Sequence, residues 1–421
     1  MILTLHSLNL ISSCLDLLML RSLFVLFSLI SFANAQTPYR VVMPREDGVS
    51  IVYNMVVSSE KGKPVWTIRN AAEKLRVDSI RKTSDSVLVD MPFFDSRMSV
   101  SVGSDQVLKG FWYKGTTAAD LVMPVIATPG ISWRFEPIKG NATLNITGKY
   151  AVEFTRPDGS KRKSVAEFKQ DKNGVTGTFL NPSGDYRFLE GILTGDSLML
   201  SCFDGSHAYY FGARVSKDGK ISNGIFCSGP RYLEPWSAVK DPDAKVESSG
   251  AMMYLKDGEE KLNFRFPDLD SNMVSINDEK FRNKVVVVQL MGSWCPNCMD
   301  ETAFLSEFHK KNRNRGVEVI GLAYEYTSDF RKAEKTLRKF QQRHKVEYPF
   351  LNTGVTTSDS LRTEKTLPQF TPIKVFPTTI FLGKDGKVRK VHPGFDGPGS
   401  GEHHEQFKKE FYATIEELLK Q

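Results

Sequence analysis

The stretch that decides the fold reads Val285-Val-Val-Val-Gln-Leu-Met-Gly-Ser-Trp-Cys-Pro-Asn-Cys-Met-Asp-Glu301. Its first half is a continuous apolar run, which is typical of a strand buried on both faces. Gly292-Ser293 then predicts a sharp turn, and apolar residues recur at helical spacing beyond Cys298. The stretch therefore predicts a strand, a tight turn and a helix, with both cysteines on the first helical turn.

Cysteines at the start of a helix are chemically special. Free backbone N–H groups and the positive end of the helix dipole favour the thiolate, which is the nucleophilic form. Two cysteines with two residues between them can close a small ring and exchange disulfides with a partner. We expect Cys295 to be solvent-accessible and to attack, and Cys298, one turn deeper, to resolve the mixed disulfide.

Structural zinc sites use the same Cys-x-x-Cys spacing, but they need two further ligands. The sequence has no second Cys-x-x-Cys and no His pair at a suitable distance, which disfavours zinc. His403-His404 begins a polar helix and is expected to be solvated rather than bound to a metal. We therefore expect no metal and no cofactor.

The motif formed by Trp294, Cys295, Cys298 and Glu301 resembles the Trp-Cys-x-x-Cys-x-x-Glu of TlpA/ResA-like thiol-disulfide oxidoreductases, which belong to the thioredoxin superfamily. Downstream, Phe376-Pro-Thr-Thr-Ile-Phe-Leu382 resembles the cis-proline and strand that face the cysteines in that family. The resemblance covers about residues 260–421. It implies a thioredoxin-like α/β domain over residues 263–421.

The resemblance also implies roles for individual residues. Glu301 would accept a proton and so tune the resolving thiol of Cys298, although a surface helix carboxylate is the alternative interpretation. Pro377 would present the backbone of Phe376 to an extended substrate segment. Trp294 would shield the cysteine pair and offer an apolar docking surface. The buried Asp of thioredoxin, six residues before the first cysteine, is replaced here by Gln289.

Residues 36–240 have a different pattern, with short alternating runs separated by turn signals such as Pro157-Asp-Gly and Lys217-Asp-Gly. This pattern predicts an antiparallel all-β sandwich or barrel. Residues 241–262 are charged and contain Gly and Ser, as expected of a linker. The fold class is therefore α+β multidomain, with the all-β domain preceding the thioredoxin-like domain. A weak internal repeat relates residues 85–96 to residues 196–206, which leaves a duplication open.

Cys202 and Cys227 belong to the all-β region. The turn signals place them on the first and third strands of a meander, about 9–10 Å apart, whereas a disulfide needs Cα atoms within about 7 Å. We expect two unbridged, half-buried cysteines. His207, Tyr209 and Tyr210 follow a turn between these strands, and core packing is favoured over a ligand-binding mouth.

Residues 1–35 have the pattern of a signal peptide. Arg21 precedes the apolar run 22–32, and Ala33-Asn-Ala35 matches a cleavage site. The compact n-region predicts that translation starts at Met19, which would remove Cys14 from the protein. A lipoprotein signal at Cys14 and an uncleaved anchor are the less favoured alternatives. Export predicts a periplasmic or cell-envelope location, with the membrane contacted only through export or an uncleaved signal.

The 421 residues carry a net charge of +7, with acidic and basic residues mixed along the chain, so nucleic-acid binding has little support. The resemblance implies an exported enzyme that reduces disulfides in cell-envelope proteins, apocytochrome c among them, and receives electrons from a membrane thiol donor. One alternative is a thiol peroxidase, although the Pro-x-x-x-Thr-x-x-Cys context of peroxiredoxins is absent around Cys295. Another is a binding protein with a β domain that holds a ligand and a dispensable Cys-x-x-Cys.

Overall fold

A computed structural model describes residues 36–93, 95–115, 120–136 and 142–421. The predicted signal peptide, with Cys14 and Met19, lies outside the described residues. The described chain forms an open antiparallel sheet, a closed antiparallel barrel and a mixed five-stranded sheet flanked by helices. This architecture confirms the predicted fold class, an all-β half followed by a thioredoxin-like α/β domain.

The first sheet has nine antiparallel strands in the order β4-β3-β2-β1-β9-β8-β7-β6-β5. One side chain in two is buried along strands such as β1 and β9, as expected of a sheet with one covered face. The strands are β1 Thr37–Pro44, β2 Ser50–Glu60, β3 Lys63–Asn70, β4 Glu73–Val77, β5 Ile80–Lys82, β6 Val87–Asp90, β7 Ser96–Val102, β8 Leu108–Lys114 and β9 Leu121–Pro129.

The second sheet closes into a barrel because β11 pairs with β12 as well as with β10. Aromatic rings fill its interior, including Phe179 stacked on Phe211 at a centroid distance of 4.4 Å. The strands are β10 Gly148–Thr155, β11 Lys161–Asp171, β12 Gly174–Asn181, β13 Gly184–Asp185, β14 Leu189–Thr194, β15 Ser197–Phe203, β16 Ala208–Val215, β17 Ile221–Ser228 and β18 Tyr232–Lys240.

The two β sheets share their connectivity. In each, the first strand pairs with the last, β1 with β9 and β10 with β18. Consecutive strands pair in between, except that β4 and β5 do not pair in the first sheet and that β12 pairs with β14 past the short β13 in the barrel. The two stretches that resemble each other, residues 85–96 and 196–206, contain β6 and β15, each followed two strands later by a Gly-containing strand. The repeat in sequence therefore has a counterpart in strand order.

Cys202 and Cys227 are free, as predicted, because β16 separates β15 from β17. The expectation that they are half-buried is wrong. Both are fully buried, with 0% of their surface exposed. Cys202 belongs to the barrel core, whereas Cys227 follows the core residue Phe226 and therefore lies on the outer face of the barrel. There it is covered near Arg45, which follows β1 and donates a hydrogen bond to the Gly229 carbonyl.

The thioredoxin-like domain has a sheet in the order β23-β22-β21-β24-β25, with β21, β22 and β23 parallel and β24 and β25 antiparallel to their neighbours. All seven residues of β21 are buried, as the apolar run predicts. A separate hairpin, β19 with β20, precedes the sheet. The elements are β19 Arg265–Pro267, β20 Met273–Ser275, β21 Val285–Met291, α1 Pro296–Asn312, β22 Val317–Ala323, α2 Phe330–His344, β23 Phe350–Asn352, α3 Arg362–Thr366, β24 Thr378–Leu382, β25 Val388–Pro393 and α4 Glu402–Lys420.

The three parts pack against one another. Tyr53 of the first sheet stacks on Phe203 of the barrel at 4.4 Å, and Phe93 stacks on His344 of α2 at 5.4 Å. The segment 241–262 also packs against the rest of the chain, because its residues Ala251 and Met253 are buried. Met253 belongs to a hydrophobic cluster of the thioredoxin-like domain. Among the described residues, no helix is long and apolar enough to cross a membrane.

Candidate active site

The two cysteines lie where β21 turns into α1. Pro296 is the first residue of the helix, where its missing N–H costs nothing, and Cys295 occupies the N-cap position. The Cys295 Sγ accepts a hydrogen bond from the backbone N of Cys298 at 3.2 Å. Cys295 and Cys298 form a disulfide with a Cα–Cα distance of 5.2 Å. In the reduced form, the same amide would stabilise a Cys295 thiolate.

The prediction that Cys295 is solvent-accessible is wrong for this oxidised form. Only 4% of Cys295 is exposed, and Cys298 is fully buried. One reason is that the barrel packs on the residues between the cysteines. The Asn297 Nδ2 donates a hydrogen bond of 3.0 Å to the carbonyl of Ser183, in the turn between β12 and β13. The sequence pattern of the thioredoxin-like domain contains no information about this contact.

A buried polar network lies behind the disulfide, centred on Glu301. The Gln289 Nε2 donates to Glu301 Oε2 at 2.8 Å, and the Thr379 hydroxyl donates to the other carboxylate oxygen. Glu301 is completely buried, which rules out the alternative of a surface carboxylate. Burial raises the pKa of Glu301 to about 7, and the two hydrogen bonds oppose this shift. The carboxyl group can therefore exchange a proton near neutral pH.

Gln289 links Glu301 to the cysteine turn. Its Nε2 lies 3.4 Å from the carbonyl oxygen of Cys298, and its Oε1 accepts a hydrogen bond of 3.1 Å from Thr302. Sequence reasoning treated Gln289 only as a missing carboxylate and assigned no role to Thr379. The Pro-Thr-Thr pattern could have indicated a role for Thr379. The strand that follows Pro377, β24, pairs with β21, and this pairing places Thr379 opposite Gln289.

A second buried carboxylate, Glu325, holds the turn before the cysteines. It accepts hydrogen bonds from the Ser293 backbone N at 2.7 Å and the Ser293 hydroxyl at 2.6 Å. Burial raises the pKa of Glu325 above its usual range. Sequence analysis missed this residue. Its position just after β22 was an available signal, since the carboxyl ends of β21 and β22 meet at one edge of the sheet.

Trp294 precedes Cys295, and one hydrogen bond and two aromatic contacts hold its side chain in place. Its Nε1 donates to the carbonyl of Tyr324 at 2.7 Å, and its ring stacks on Tyr326 at 5.2 Å. The edge of its ring also meets Phe376 at 5.7 Å. The Phe376–Pro377 peptide bond is cis, as the resemblance implied. The five predicted site residues therefore come from two stretches that the fold brings together.

Arg187 joins the barrel to both other parts of the molecule. Its guanidinium forms ion pairs with Glu73 of the first sheet and with Asp300 of α1, two residues after Cys298. Its Nε lies 3.9 Å from Asp204, and its side chain is only 3% exposed. Nothing in the sequence pattern of Arg187 indicated this role.

The other candidate residues have separate surroundings. The His207 Nδ1 lies 3.0 Å from Asp204 Oδ2, and Tyr209 belongs to the barrel core. The neighbouring histidines His403 and His404 contact different groups, Glu167 Oε1 at 2.8 Å and the Asp396 carbonyl at 2.7 Å. Within the described ranges, no cluster of three or more His, Cys, Asp or Glu side chains could hold a metal ion.

Comparison with known proteins supports the class that this site suggests. Residues 256–406 match the family model described as Redoxin. A thiol-disulfide oxidoreductase ResA of Bacillus thuringiensis subsp. konkukian is 26% identical over 132 residues, which cover 31% of this chain and 66% of that protein. ResA of Bacillus subtilis is 22% identical over 140 residues, covering 33% and 69%.

Two solved structures are similar to part of the chain. A thiol-disulfide oxidoreductase from Bacteroides fragilis is 19% identical, covering 35% of this chain and 99% of that one, with a TM-score of 0.27. A DsbF homologue from Corynebacterium diphtheriae is 22% identical, covering 39% and 97%, with a TM-score of 0.29.

The C-terminal part of the chain is thus a thioredoxin-superfamily domain of the kind found in thiol-disulfide oxidoreductases. More narrowly, it is a redoxin domain similar to ResA. These relatives match only about a third of the chain, and the first of them is aligned over just under two thirds of its own length.

Proposed function

We propose that the protein is an exported thiol-disulfide oxidoreductase that reduces disulfides in cell-envelope proteins through Cys295 and Cys298. The observation that carries the proposal is the disulfide at the start of α1 with a proton-accepting carboxyl group buried behind it. The similarity to ResA supports the chemistry. The signal-peptide pattern of residues 1–35 supports export.

The reaction begins with the reduced form. The Cys295 thiolate, stabilised by the amide of Cys298, attacks one sulfur of the substrate disulfide. A mixed disulfide forms between Cys295 and the substrate, and the other substrate sulfur leaves as a thiolate that takes a proton from solvent. At this point, a disulfide between Cys295 and the substrate has replaced the disulfide within the substrate.

The second step uses Glu301. Glu301 lies three residues after Cys298 on the same face of α1, and Gln289 contacts both residues. The Glu301 carboxylate accepts the proton of the Cys298 thiol, and the resulting thiolate attacks Cys295. The Cys295–Cys298 disulfide closes, the bond between Cys295 and the substrate breaks, and the second substrate sulfur leaves as a thiolate that takes a proton from solvent. Two electrons have passed to the substrate, and a dithiol donor, proposed to lie in the membrane, must restore the reduced form.

Trp294 and Pro377 define where the substrate lies. Trp294 packs against Phe376, so its ring and the backbone before the cis-proline border the same space. We assign Trp294 to docking and Pro377 to presentation of the Phe376 backbone, where an extended segment can add as a strand.

Trapping of the mixed disulfide tests the proposal. A Cys298→Ala variant cannot resolve the intermediate, so the reduced variant should accumulate a covalent adduct with a disulfide-bonded protein such as insulin. A Cys295→Ala variant is the matched control and should form none. Equal trapping by both variants, or rapid consumption of hydrogen peroxide without disulfide reduction, would contradict the proposal.

A further inference from the structure

The barrel faces the cysteines across a cleft of about 920 Å³. One wall is the end of the barrel, together with the segment that follows β18, and the other wall is formed by residues 294–297 and 374–376. Cys295 lies in this cleft and is 4% exposed. A disulfide that reaches Cys295 must therefore enter between the barrel and the redox domain.

The barrel wall is attached to the cysteine turn rather than merely close to it. Gly184 forms a strand bridge with Phe395 and has φ +132°. A Cβ added to Gly184 would lie 2.4 Å from the Phe395 carbonyl oxygen and 2.5 Å from the Asn297 Nδ2. Together with the Asn297–Ser183 hydrogen bond and the Arg187–Asp300 ion pair, this close approach fixes the width of the cleft at Cys295.

The cleft contains more positive than negative side chains. The cationic side chains that line it are those of Arg156, Lys161, Arg162, Lys163 and Lys374, and the acidic ones are those of Asp185, Glu234 and Glu247. Arg162 is neutralised by Glu234 at 2.5 Å, Lys163 by Glu247 at 3.1 Å, and Lys161 by Glu153, outside the cleft, at 3.0 Å.

Two exposed cations remain in the cleft. Among the described residues, Arg156 and Lys374 have no carboxylate within ion-pair distance. They belong to opposite walls, Arg156 to the turn between β10 and β11 and Lys374 to the loop before Pro377. The carboxyl group of Asp185 does not offset them fully, because burial raises its pKa to about 7.

We infer that this cleft binds a polypeptide segment that carries carboxylates next to its disulfide, with Arg156 and Lys374 as the residues that select for acidic sequence. The inference rests on the proposed function and assigns a role to the barrel. The aromatic rings of Tyr232, Trp294 and Phe376 line the same cleft and supply apolar contacts for the segment. When the carboxylates that flank the substrate disulfide bind to Arg156 and Lys374 on the two walls, a substrate sulfur would lie next to Cys295.

The test uses three synthetic peptides with one disulfide, identical except that Glu, Gln or Lys flanks each cysteine. The pre-reduced full-length protein reduces each peptide in a single turnover, becoming oxidised at Cys295 and Cys298 while the peptide gains two thiols. Acid-quenched samples are analysed by mass spectrometry. At low salt, we expect the second-order rate constant for the acidic peptide to exceed that for the Gln peptide by about tenfold, and the ratio of the two constants to fall as salt is added.

An Arg156→Gln/Lys374→Gln double variant should bring this ratio close to one. A Lys217→Gln variant is the matched control, because Lys217 is exposed in the turn between β16 and β17 and is absent from the cleft lining, so its ratio should match that of the unmodified protein. A ratio near one in the unmodified protein would overturn the inference while leaving the proposed function intact.

Two further outcomes are decisive. If the unmodified protein reduces none of the three peptides, the proposed function itself fails. If oxidised glutathione is reduced faster than the acidic peptide, and this rate depends on Arg156 and Lys374, the cleft is a site for a small anionic disulfide and the polypeptide assignment is wrong.

Discussion

The barrel and the redox domain each contain two cysteines, yet only one pair is bonded. Cys202 and Cys227 lie on strands separated by a third strand, and burial raises the pKa of the Cys227 thiol to about 11. Cys295 and Cys298 lie on one helical turn, where a backbone amide contacts the Cys295 sulfur. Backbone position, rather than the presence of two cysteines in one domain, therefore makes a redox site.

Replacing one cysteine of each pair distinguishes the two pairs directly. Cys295→Ser should reduce the single-turnover rate of insulin reduction by more than about a thousandfold, because the nucleophile is lost. Cys202→Ala should leave this rate unchanged and lower the free energy of unfolding by about 1 kcal/mol, since it leaves only a small void in the barrel core. Equal losses of activity in both variants would contradict the distinction between the two regions.

A second comparison concerns two arginines of the barrel. Arg187, 3% exposed, is paired with carboxylates of the other two parts, whereas Arg214 pairs with Asp196 at the surface. Arg187→Met should lower the free energy of unfolding by about 3–5 kcal/mol, because buried carboxylates lose their counterion. Arg214→Met should cost no more than about 1 kcal/mol. Urea unfolding measures the free energy of unfolding of both variants. If Arg187→Met does not fold, Arg187→Lys takes its place in the comparison with Arg214→Met.

The third prediction concerns carboxylates on α1. Glu301→Gln should slow resolution of the mixed disulfide about a hundredfold at pH 8 and remove the rise in rate around pH 7. Glu307→Gln, whose side chain is 78% exposed on the same helix, is the matched control. An unchanged pH profile in Glu301→Gln would exclude Glu301 as the proton acceptor.

The same pKa shift has a consequence for stability. The pKa of Glu301 is raised in the folded state from 4.5 to about 7. Its contribution to stability is therefore fully present below about pH 4.5 and is lost as pH rises through about 7, with a total change of about 3 kcal/mol. Unfolding free energies of Glu301→Gln should lack this component. The difference in unfolding free energy between this variant and the unmodified protein should therefore change by about 3 kcal/mol between about pH 4.5 and pH 7, as measured by urea unfolding.

The smallest predicted effect compares two glycines of the barrel. Gly184→Ala should push the β12–β13 turn away from Asn297 and increase severalfold the rate at which iodoacetamide alkylates reduced Cys295. Gly159 also has a positive φ, +82°, but a Cβ there would meet nothing within 4 Å. Gly159→Ala should therefore cost only about 1 kcal/mol of stability and leave alkylation unchanged. Identical alkylation rates would show that the barrel does not restrict access to Cys295.

The redox domain was predictable because its signals are local. The apolar run of β21, the cysteines at the helix start and the Pro-Thr-Thr strand each lie within a few residues, and the structure brings them together as expected. Glu325 could have been found from its place after β22. The repeat of the two β sheets was visible only faintly, since strand order depends on pairing between distant residues.

The contacts between the parts could not be predicted in this way. Arg187 meets Glu73 and Asp300, which lie more than a hundred residues away in sequence. The hydrogen bond between Asn297 and Ser183 also joins residues more than a hundred positions apart in sequence. It contributes to the burial of Cys295, which was not expected from the sequence. Such contacts depend on how complete domains dock, and no periodicity or turn signal encodes that docking.

The reduction potential of the Cys295–Cys298 pair tests the proposed reductase function most directly. It is measured in a Cys202→Ala/Cys227→Ala variant equilibrated with glutathione or dithiothreitol buffers. The variant leaves Cys295 and Cys298 as the two cysteines of residues 36–421, so one two-electron transition should appear. We predict a potential near or below about −230 mV, as expected of a reductase that must receive electrons. A potential near about −120 mV would make the protein an oxidant, and the absence of any transition would contradict the redox site itself.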